Sequence, residues 1–154
     1  PIGKLRIEGD AELARRLQQL AQNFDPDWQQ PFVILMTQAK GISIIHETVY
    51  EERFGYVSQL QKMGAEIELY DTCLGGLLCR FASTHYFHSA VVKGPTPLRG
   101  AEINVPDLRA GFSYLIAGVI AKGESVVNGA IYIDRGYEDI DKKLKELGAD
   151  IKRI

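Results

Sequence analysis

The stretch that decides the fold runs from Val105 to Ile154 and reads VPDLRAGFSYLIAGVIAKGESVVNGAIYIDRGYEDIDKKLKELGADIKRI. A polar start leads into an apolar run that ends at Gly123, and a later amphipathic run ends at Gly148. Glycine commonly follows the last residue of a helix, so we predict a helix before each of these glycines. Residues that favour strands follow each glycine, and the order helix, strand, helix, strand indicates an α/β fold.

Two arginines stand where these helices are predicted to begin. Asp107 can cap the first helix, and Arg109 falls in its first turn, where a cation opposes the helix dipole. Arg135 comes just before the second helix, beside Gly136. A cation in a locally unfavourable place needs another partner, which is either Asp107 itself or an external anion. We therefore treat both helix starts as candidate anion sites.

The composition favours one compact cytoplasmic domain. With 154 residues and 45% hydrophobic content, the chain can bury a core. Its net charge of -2 argues against a nucleic-acid binder, and no apolar run is long enough to cross a membrane. The first residues lack the pattern of a signal peptide, and two cysteines make no disulfide framework. A nucleotide-binding glycine loop is also missing from the sequence, and we expect no cofactor.

The sequence contains an internal repeat. Ala-Lys-Gly at 39–41 recurs at 121–123, and Arg53 recurs as Arg135, in both cases 82 positions further along the chain. Each copy reads as an apolar helix, a glycine, a strand, an arginine turn, an amphipathic helix and a strand. Self-similarity over whole supersecondary units predicts a fold built from stacked copies.

The repeat defines the expected domain organisation. We predict one domain over 1–154, with repeat units at about 3–94 and 95–154. Each unit pairs a helix that is apolar all round with a helix that is half exposed, which favours helices on the inside and sheets around them. In the first unit, the predicted elements are a strand at Gly3–Gly9, helices at Asp10–Gln22 and Phe32–Ala39, a strand at Ile42–Val49, a helix at Glu51–Met63 and a strand at Glu66–Tyr70.

Three segments resemble one known family of enzymes. They are GISIIHETVYEERFGYVSQLQKMGAEI at 41–67, VPDLRAGFSYLIAGVIAKGES at 105–125 and YIDRGYEDIDKKLKELGADI at 132–151. They look like the C-terminal part of the UDP-N-acetylglucosamine 1-carboxyvinyltransferases, an enolpyruvyltransferase family, over roughly Phe24 to Ile154. The resemblance implies an inside-out α/β barrel built from βαβαββ repeats, of which this chain supplies about two.

The resemblance also implies a reaction and its substrates. The family transfers the enolpyruvyl group of phosphoenolpyruvate to the 3′-hydroxyl of UDP-N-acetylglucosamine and releases phosphate, the first step of peptidoglycan precursor synthesis. This chemistry needs a base for the hydroxyl group and cations for the phosphate and the carboxylate. It needs no cofactor, nucleic acid or membrane.

Several residues match functional positions of the family. Arg135 in IDRGYE matches an arginine at the phosphoenolpyruvate site, and Asp107 and Arg109 in DLRAG match the pair beside it. Asp27 matches the aspartate of a Pro-Thr-Asp motif, which is the candidate base. A segment that lies along the nucleotide sugar is matched by Thr48, Val49 and Tyr50.

Two departures from the family pattern limit this comparison. The Pro-Thr-Asp motif appears here as Asp25-Pro26-Asp27, and the internal repeat pairs Asp25, not Asp27, with Asp107. We favour Asp27 as the base and leave Asp25 open. The family's N-terminal Lys-Asn pair and the loop that carries its reactive cysteine or aspartate have no match in this chain. We therefore expect a fragment that is inactive alone and supplies one wall of a two-sided site, with possible self-association through the exposed face.

A second class of function stays open from the sequence alone. In this alternative, the chain is a non-catalytic repeat module, or an isolated domain whose exposed face binds another protein. An Asp at a helix start followed by Arg is commonly only a cap with a salt bridge, and an arginine before a helix is commonly a surface ion pair.

A group of cysteines and histidines raises the question of a metal site. Cys73 and Cys79 are separated by five residues, and His85 and His88 by two. Structural zinc pairs usually have about two to four residues between cysteines and about three to five between histidines. On this spacing we expect no metal, and we interpret the segment as a long β-hairpin with an insertion.

Overall fold

The structure is a computed structural model that describes residues 26–74 and 78–154. Three features of the sequence analysis lie outside these residues: the predicted strand Gly3–Gly9, the predicted helix Asp10–Gln22 and the alternative base Asp25.

The described chain divides into two compact units. The first unit contains residues up to Gly55 together with Ala65–Thr96, and the second contains Tyr56–Gly64 together with Pro97–Ile154. The boundary after Thr96 lies close to the repeat boundary proposed from the sequence. Residues 56–64 nevertheless belong with the later part of the chain.

Within the described residues, the first unit contains one α-helix and a three-stranded sheet. Its elements are a 3₁₀ helix at Pro26–Trp28, helix α1 at Gln29–Gln38, strand β1 at Gly41–His46, strand β2 at Glu66–Tyr70 and strand β3 at Ser89–Gly94. A further 3₁₀ helix, Arg53–Tyr56, follows β1 at the limit of the unit. The sheet order is β1-β3-β2, with β3 antiparallel to both neighbours.

The start of the central strand β3 lies beside the ends of both neighbouring strands. Ser89, the first residue of β3, pairs with His46 at the end of β1 and with Tyr70 at the end of β2. Residues 71–88 therefore connect two antiparallel neighbours, which confirms the predicted long hairpin with an insertion. The insertion begins and ends at the same edge of the sheet as the end of β1.

Helix α1 packs tightly on the last residues of β3. A side chain at Gly94 would overlap the carbonyl oxygens of Ala39 and Met36, so only glycine allows this approach. The amide of Thr96 donates to the carbonyl of Thr37 over 2.7 Å. Apolar side chains from the helix, the sheet and the insertion form the core of the unit: Val33, Ile34, Met36, Ile67, Phe81, Ala90 and Val92.

The second unit is built around one long helix. Its elements are helix α2 at Val57–Lys62, strand β4 at Glu102–Asn104, helix α3 at Leu108–Ile120, strand β5 at Val126–Asn128, helix α4 at Ala130–Asp134 and helix α5 at Ile140–Glu146. Strands β4 and β5 pair in parallel, with Ile103 opposite Val127. The core of this unit contains Val57, Leu60, Met63, Leu98, Ile103, Ala110, Tyr114, Ala117 and Ile133.

Hydrogen bonds attach α2 to the later residues of its unit. The Tyr114 hydroxyl, on α3, donates to the carbonyl of Tyr56 over 3.3 Å. The side-chain oxygen of Gln59 accepts from the amide of Asn104 at 3.3 Å. Arg99 donates its amide to the Met63 carbonyl over 2.8 Å. These long-range contacts explain why residues 56–64 belong to the second unit.

Several predicted boundaries are confirmed. Strand β2 has the predicted limits Glu66–Tyr70, and Asp107 is the N-cap of α3. The apolar helix predicted at Phe32–Ala39 forms, although it begins earlier, at Gln29. The middle of α3, from Ala110 to Ala117, is mostly buried as expected, whereas Val119 and Ile120 near its end are 47% and 40% exposed.

Other predicted elements differ from the structure. The strand expected at Ile42–Val49 ends at His46. The chain turns after it because the side chain of Glu47 accepts a hydrogen bond from the amide of Val49. The helix expected over Glu51–Met63 divides into a 3₁₀ helix and the short α2. The strand expected after Gly148 is absent: in the described part of the chain, no strand pairs with residues 149–154. No helix within 26–74 or 78–154 is both long and apolar enough to cross a bilayer.

Candidate functional site

In the first unit, a buried carboxylate shapes the segment that was predicted to contact the nucleotide sugar. Glu47 is only 4% exposed. One of its oxygens accepts the amides of Val49 and Tyr50, at 2.6 and 3.0 Å, and the other accepts from the Gln29 side chain at 2.7 Å. Hydrogen bonds to a charged acceptor are strong, so Glu47 holds this turn in one conformation. The side chains of Thr48, Val49 and Tyr50 are exposed at its surface.

The candidate base Asp27 lies in the same unit and is held by an arginine. Asp27 accepts a hydrogen bond from Arg53, with 2.8 Å between the carboxylate Oδ1 and Nη2. The Asp27 side chain is 62% exposed, whereas the Arg53 side chain is 7% exposed. The Arg53 guanidinium also lies over the Tyr50 ring, 4.9 Å from its centroid. Arg53 thus connects the candidate base to the segment at 48–50.

In the second unit, Asp107 acts as the predicted cap of α3. Its carboxylate Oδ1 accepts the amides of Arg109 and Ala110, at 2.8 and 3.0 Å. Arg109 is exposed in the first turn. Burial raises the pKa of the nearby Tyr114 hydroxyl, and the negative charge of Asp107 acts in the same direction. Capping therefore satisfies part of the Asp107 carboxylate through two backbone amides.

The position of Arg135 differs from the prediction. Arg135 caps the C-terminal end of the short helix α4, and α5 begins only at Ile140, so Arg135 does not directly precede a helix. At this end of a helix, a cation agrees with the helix dipole. The prediction that Arg135 stands at the start of a second helix is therefore wrong, although Arg135 is exposed.

The two motifs with arginines nevertheless meet in space. A side chain added at Gly136 would overlap that of Leu108, which stands between Asp107 and Arg109 in the sequence. The ring of Tyr137 stacks on that of Phe112, with 5.1 Å between centroids. The segment IDRGYE therefore packs against the first turns of the helix that begins with DLRAG.

A separate cluster of side chains lies at the edge of the first unit's sheet. Its members are His46, Cys73, Cys79 and His88, whose potential ligand atoms all lie within 4.8 Å of one another. His85, which the sequence analysis considered, is not a member of this group. These four are the residues within 26–74 and 78–154 that could together hold a metal ion.

Three of these functional candidates were missed from the sequence. Arg53 could have been found, because the repeat aligns it with Arg135. Glu47 follows a strand without any motif, and only its burial reveals its role. His46 lies far along the chain from the cysteines, and the pairing of β1 with β3 brings it to them.

Comparisons with known proteins agree with the resemblance seen in the sequence. The family model described as EPSP synthase (3-phosphoshikimate 1-carboxyvinyltransferase) matches residues 4–144. A UDP-N-acetylglucosamine 1-carboxyvinyltransferase of Protochlamydia amoebophila is 54% identical over 131 residues, which are 85% of this chain and 28% of that protein. The enzyme of the same name from Chlamydia abortus is 50% identical over 129 residues, 83% of this chain and 29% of that protein.

A solved structure gives the same result for the fold. The crystal structure of the enolpyruvyl transferase NikO from Streptomyces tendae superposes with a TM-score of 0.67 at 28% identity, covering 82% of this chain and 26% of that one. This similarity confirms the predicted α/β fold of enolpyruvyltransferase type. The chain spans less than a third of the length of the curated relatives it matches, at 28% and 29% of two of them. The match over residues 4–144 shows that this chain belongs to the EPSP synthase family of enolpyruvyltransferases.

Proposed function

We propose that the chain is part of an enolpyruvyltransferase that moves the enolpyruvyl group of phosphoenolpyruvate to the 3′-hydroxyl of UDP-N-acetylglucosamine. The relatives that are 54% and 50% identical carry the name of this activity. The reaction adds the sugar hydroxyl to the enolpyruvyl carbon and then eliminates phosphate, and it belongs to peptidoglycan precursor synthesis. We infer a cytoplasmic location from the same assignment.

The observation that carries the proposal is the packing of IDRGYE on DLRAG. Gly136 contacts Leu108 and Tyr137 stacks on Phe112, so the exposed Arg109 and Arg135 belong to neighbouring segments of one unit. Phosphoenolpyruvate carries a phosphate and a carboxylate, and a guanidinium binds either group through two parallel hydrogen bonds. In this proposal, Arg135 and Arg109 bind these groups, and Asp107 keeps the first turn of α3 in place.

The first unit supplies the residues proposed for the sugar nucleotide. Thr48, Val49 and Tyr50 are exposed on a turn that Glu47 holds from inside, which suits a surface that receives a rigid ligand. Asp27 is the proposed base for the 3′-hydroxyl, with Asp25 as the alternative. The Arg53 hydrogen bond orients Asp27 and keeps its carboxylate close to Tyr50.

The proposed activity needs more than this chain. Proton donation to the methylene carbon and further contacts to both substrates require groups that the family places in segments without a match here. We therefore propose that the chain is inactive alone. Exposed apolar side chains in the second unit, such as Ile131 at 69% and Leu147 at 75%, support self-association as a further property. Analytical ultracentrifugation tests it, since a monomer at all concentrations would exclude it.

Two measurements on the isolated chain test the proposal. A phosphate-release assay with both substrates should show no turnover. A titration with UDP-N-acetylglucosamine, followed by amide NMR, should shift the signals of residues 48–50 in a saturable way. UDP-glucose, which lacks the N-acetyl group, is the matched control and should bind more weakly. If neither sugar nucleotide shifts these signals, the non-catalytic interaction module becomes the better explanation.

A further inference from the structure

The cluster at the edge of the first unit's sheet has the composition of a structural metal site. His46 ends β1, Cys73 follows β2, and His88 precedes β3, so the antiparallel pairing brings these three to one edge. Cys79 comes from the insertion between β2 and β3. Two thiolates and two imidazoles are the ligand set of Cys₂His₂ zinc sites.

The distances between these sulfur and nitrogen atoms agree with the edges of a tetrahedron around zinc. The sulfur atoms of Cys73 and Cys79 are 3.5 Å apart, and Cys73 Sγ lies 3.5 Å from His88 Nε2. With usual bond lengths to zinc, a tetrahedral site has about 3.8 Å between two sulfurs and about 3.6 Å between sulfur and nitrogen. All four donor groups lie within 4.8 Å of one another, so small side-chain adjustments complete the site.

The imidazole of His88 is oriented as a ligand. Its Nδ1 lies 2.8 Å from the carbonyl oxygen of Tyr86, which can only accept, so Nδ1 carries the proton. The lone pair of Nε2 is then free on the side of Cys73. Histidines that bind metals commonly donate their other ring N–H to a backbone carbonyl, which fixes the tautomer in this way. His88 is also buried, at 1% exposure, against the ring of Phe81.

The environment of His46 also suits a ligand. Its Nε2 is buried and has no hydrogen-bond partner among the residues that the structure describes. A buried polar atom without a partner is costly, and a metal ion would remove that cost. The His46 ring also lies beside that of His88, with 5.5 Å between the ring centroids.

Backbone amides point at both sulfur atoms. The Cys79 amide donates to Cys73 Sγ, and the Phe81 amide donates to Cys79 Sγ, each at 3.4 Å. Hydrogen bonds of this kind stabilise the negative charge of metal-bound thiolates. The cluster therefore has ligands and outer-shell partners together.

We propose that His46, Cys73, Cys79 and His88 bind one zinc ion in a closed, structural site. Four protein ligands leave no open position for catalysis, and a tetrahedral set of two sulfurs and two nitrogens favours zinc among the common divalent metals. Both cysteines give up their thiol protons to solvent when the two sulfur–zinc bonds form, and no oxidation occurs. The local spacings of cysteines and histidines argued against a metal because His46 lies 27 residues before Cys73 in the sequence.

Zinc in this place would brace the segment at 48–50. The amide of Glu47, next to His46, donates to the His88 carbonyl at 2.8 Å, and the Glu47 carboxylate holds the turn that follows. From the insertion, Arg80 donates to the Val49 carbonyl at 3.4 Å. The ion would fix the insertion to the end of β1 and, through these bonds, support the exposed turn.

Metal binding by the full reduced chain tests the proposal directly. Metal-free protein is titrated with cobalt and then with zinc under a mild reductant. We expect one ion per chain, intense visible cobalt bands typical of tetrahedral geometry, a thiolate-to-cobalt charge-transfer band, and displacement of cobalt by zinc. Cys79→Ser and His46→Gln should weaken zinc binding by about a hundredfold or more, and His85→Asn, the matched control, should leave it unchanged.

A stability measurement on the unaltered chain provides a second test. Zinc should raise the Tm of the unaltered chain and a chelator should reverse the increase, so the proposal does not depend on variants that fold. The absence of the cobalt charge-transfer band in the reduced chain would overturn the proposal. So would a loss of binding in His85→Asn as large as in His46→Gln, or a Cys73–Cys79 disulfide that forms in preference to the zinc complex under the same reductant.

Discussion

The aromatic ring of Tyr137 stacks on that of Phe112, with centroids 5.1 Å apart and planes inclined by 21°. Phe112 belongs to α3, three residues after Arg109, and Tyr137 follows Arg135 by two. This pair thus fixes the turn of one arginine motif onto the helix of the other. The relative placement of Arg109 and Arg135 in the second unit depends on this contact.

Replacing Tyr137 should therefore loosen the second unit. Tyr137→Ala removes the stacked ring, and we expect a loss of about 1–2 kcal/mol in the free energy of unfolding, measured with urea. Tyr137→Phe keeps the ring and is the matched control, with a change below about 0.5 kcal/mol. Equal losses in both variants would contradict the importance of the stack.

Glu47 should be critical for the turn at 48–50. In Glu47→Ala, the amides of Val49 and Tyr50 and the side chain of Gln29 lose their hydrogen-bond acceptor. We expect the free energy of unfolding to fall by about 3 kcal/mol. Hydrogen exchange at the amides of 49 and 50 should accelerate more than exchange in β3. Glu146→Ala, at an exposed site on α5, is the control and should have little effect. Unchanged exchange at 49 and 50 in Glu47→Ala would show that something else holds the turn.

Replacing Arg53 should destabilise the fold more than replacing its ion-pair partner Asp27. Arg53 is 7% exposed and packs on Tyr50, whereas Asp27 is 62% exposed and remains hydrated without its partner. We expect Arg53→Ala to lower the free energy of unfolding by about 2–3 kcal/mol, because both its packing and its ion pair are lost. Asp27→Asn should cost less than about 1 kcal/mol, as an exposed pair does. Thermal and urea unfolding of both variants measure this difference, and the opposite order would refute the structural assignment of Arg53.

The C-terminal Arg153 should make stability depend on acid pH. Hydrogen bonds from Arg153 lower the pKa of Asp134 and of Asp141 below their ordinary values. A lowered pKa in the folded state stabilises the fold above the ordinary pKa, and this contribution disappears as the pH falls through the lowered values. Arg153→Gln should therefore lose stability at about pH 7 but approach the parent chain at about pH 2.

Salt provides an independent check of the same pair of contacts. Because the side chains of Arg153 and Asp134 are 51% and 43% exposed, the difference between Arg153→Gln and the parent should shrink at high ionic strength. The neighbouring exposed residue supplies the control Lys152→Gln, which should show neither the pH dependence nor the salt dependence. A difference that stays constant from neutral to acid pH would argue against the Arg153 contacts.

The sequence predicted those features that depend on local chemistry. Asp107 is a cap because its side chain and the following apolar run require no distant partner, and the Glu66–Tyr70 strand has limits set by neighbouring glycine and aspartate. The internal repeat and the motifs identified the family. The repeat also marked Arg53, although its pairing with Asp27 is visible only in the structure.

Features that depend on distant contacts were predicted poorly. Arg135 lies at the end of a short helix because residues 130–134 pack through Ile133 against Gly111 on α3, which no local pattern reveals. The last residues form no strand, and Arg153 instead reaches Asp134 and Asp141. The metal cluster escaped notice because sheet pairing, not sequence spacing, brings His46 to the cysteines.

The central claim is that Arg109 and Arg135 form one site for phosphoenolpyruvate. The most direct measurement follows the side-chain Nε–H NMR signals of both arginines while the chain is titrated with phosphoenolpyruvate at constant ionic strength. We predict that both signals shift along one saturation curve, and that Arg109→Lys or Arg135→Lys weakens the response of the remaining arginine. If only one signal shifts, or each follows a separate curve that sodium chloride reproduces, the two arginines do not share a ligand and the account is contradicted.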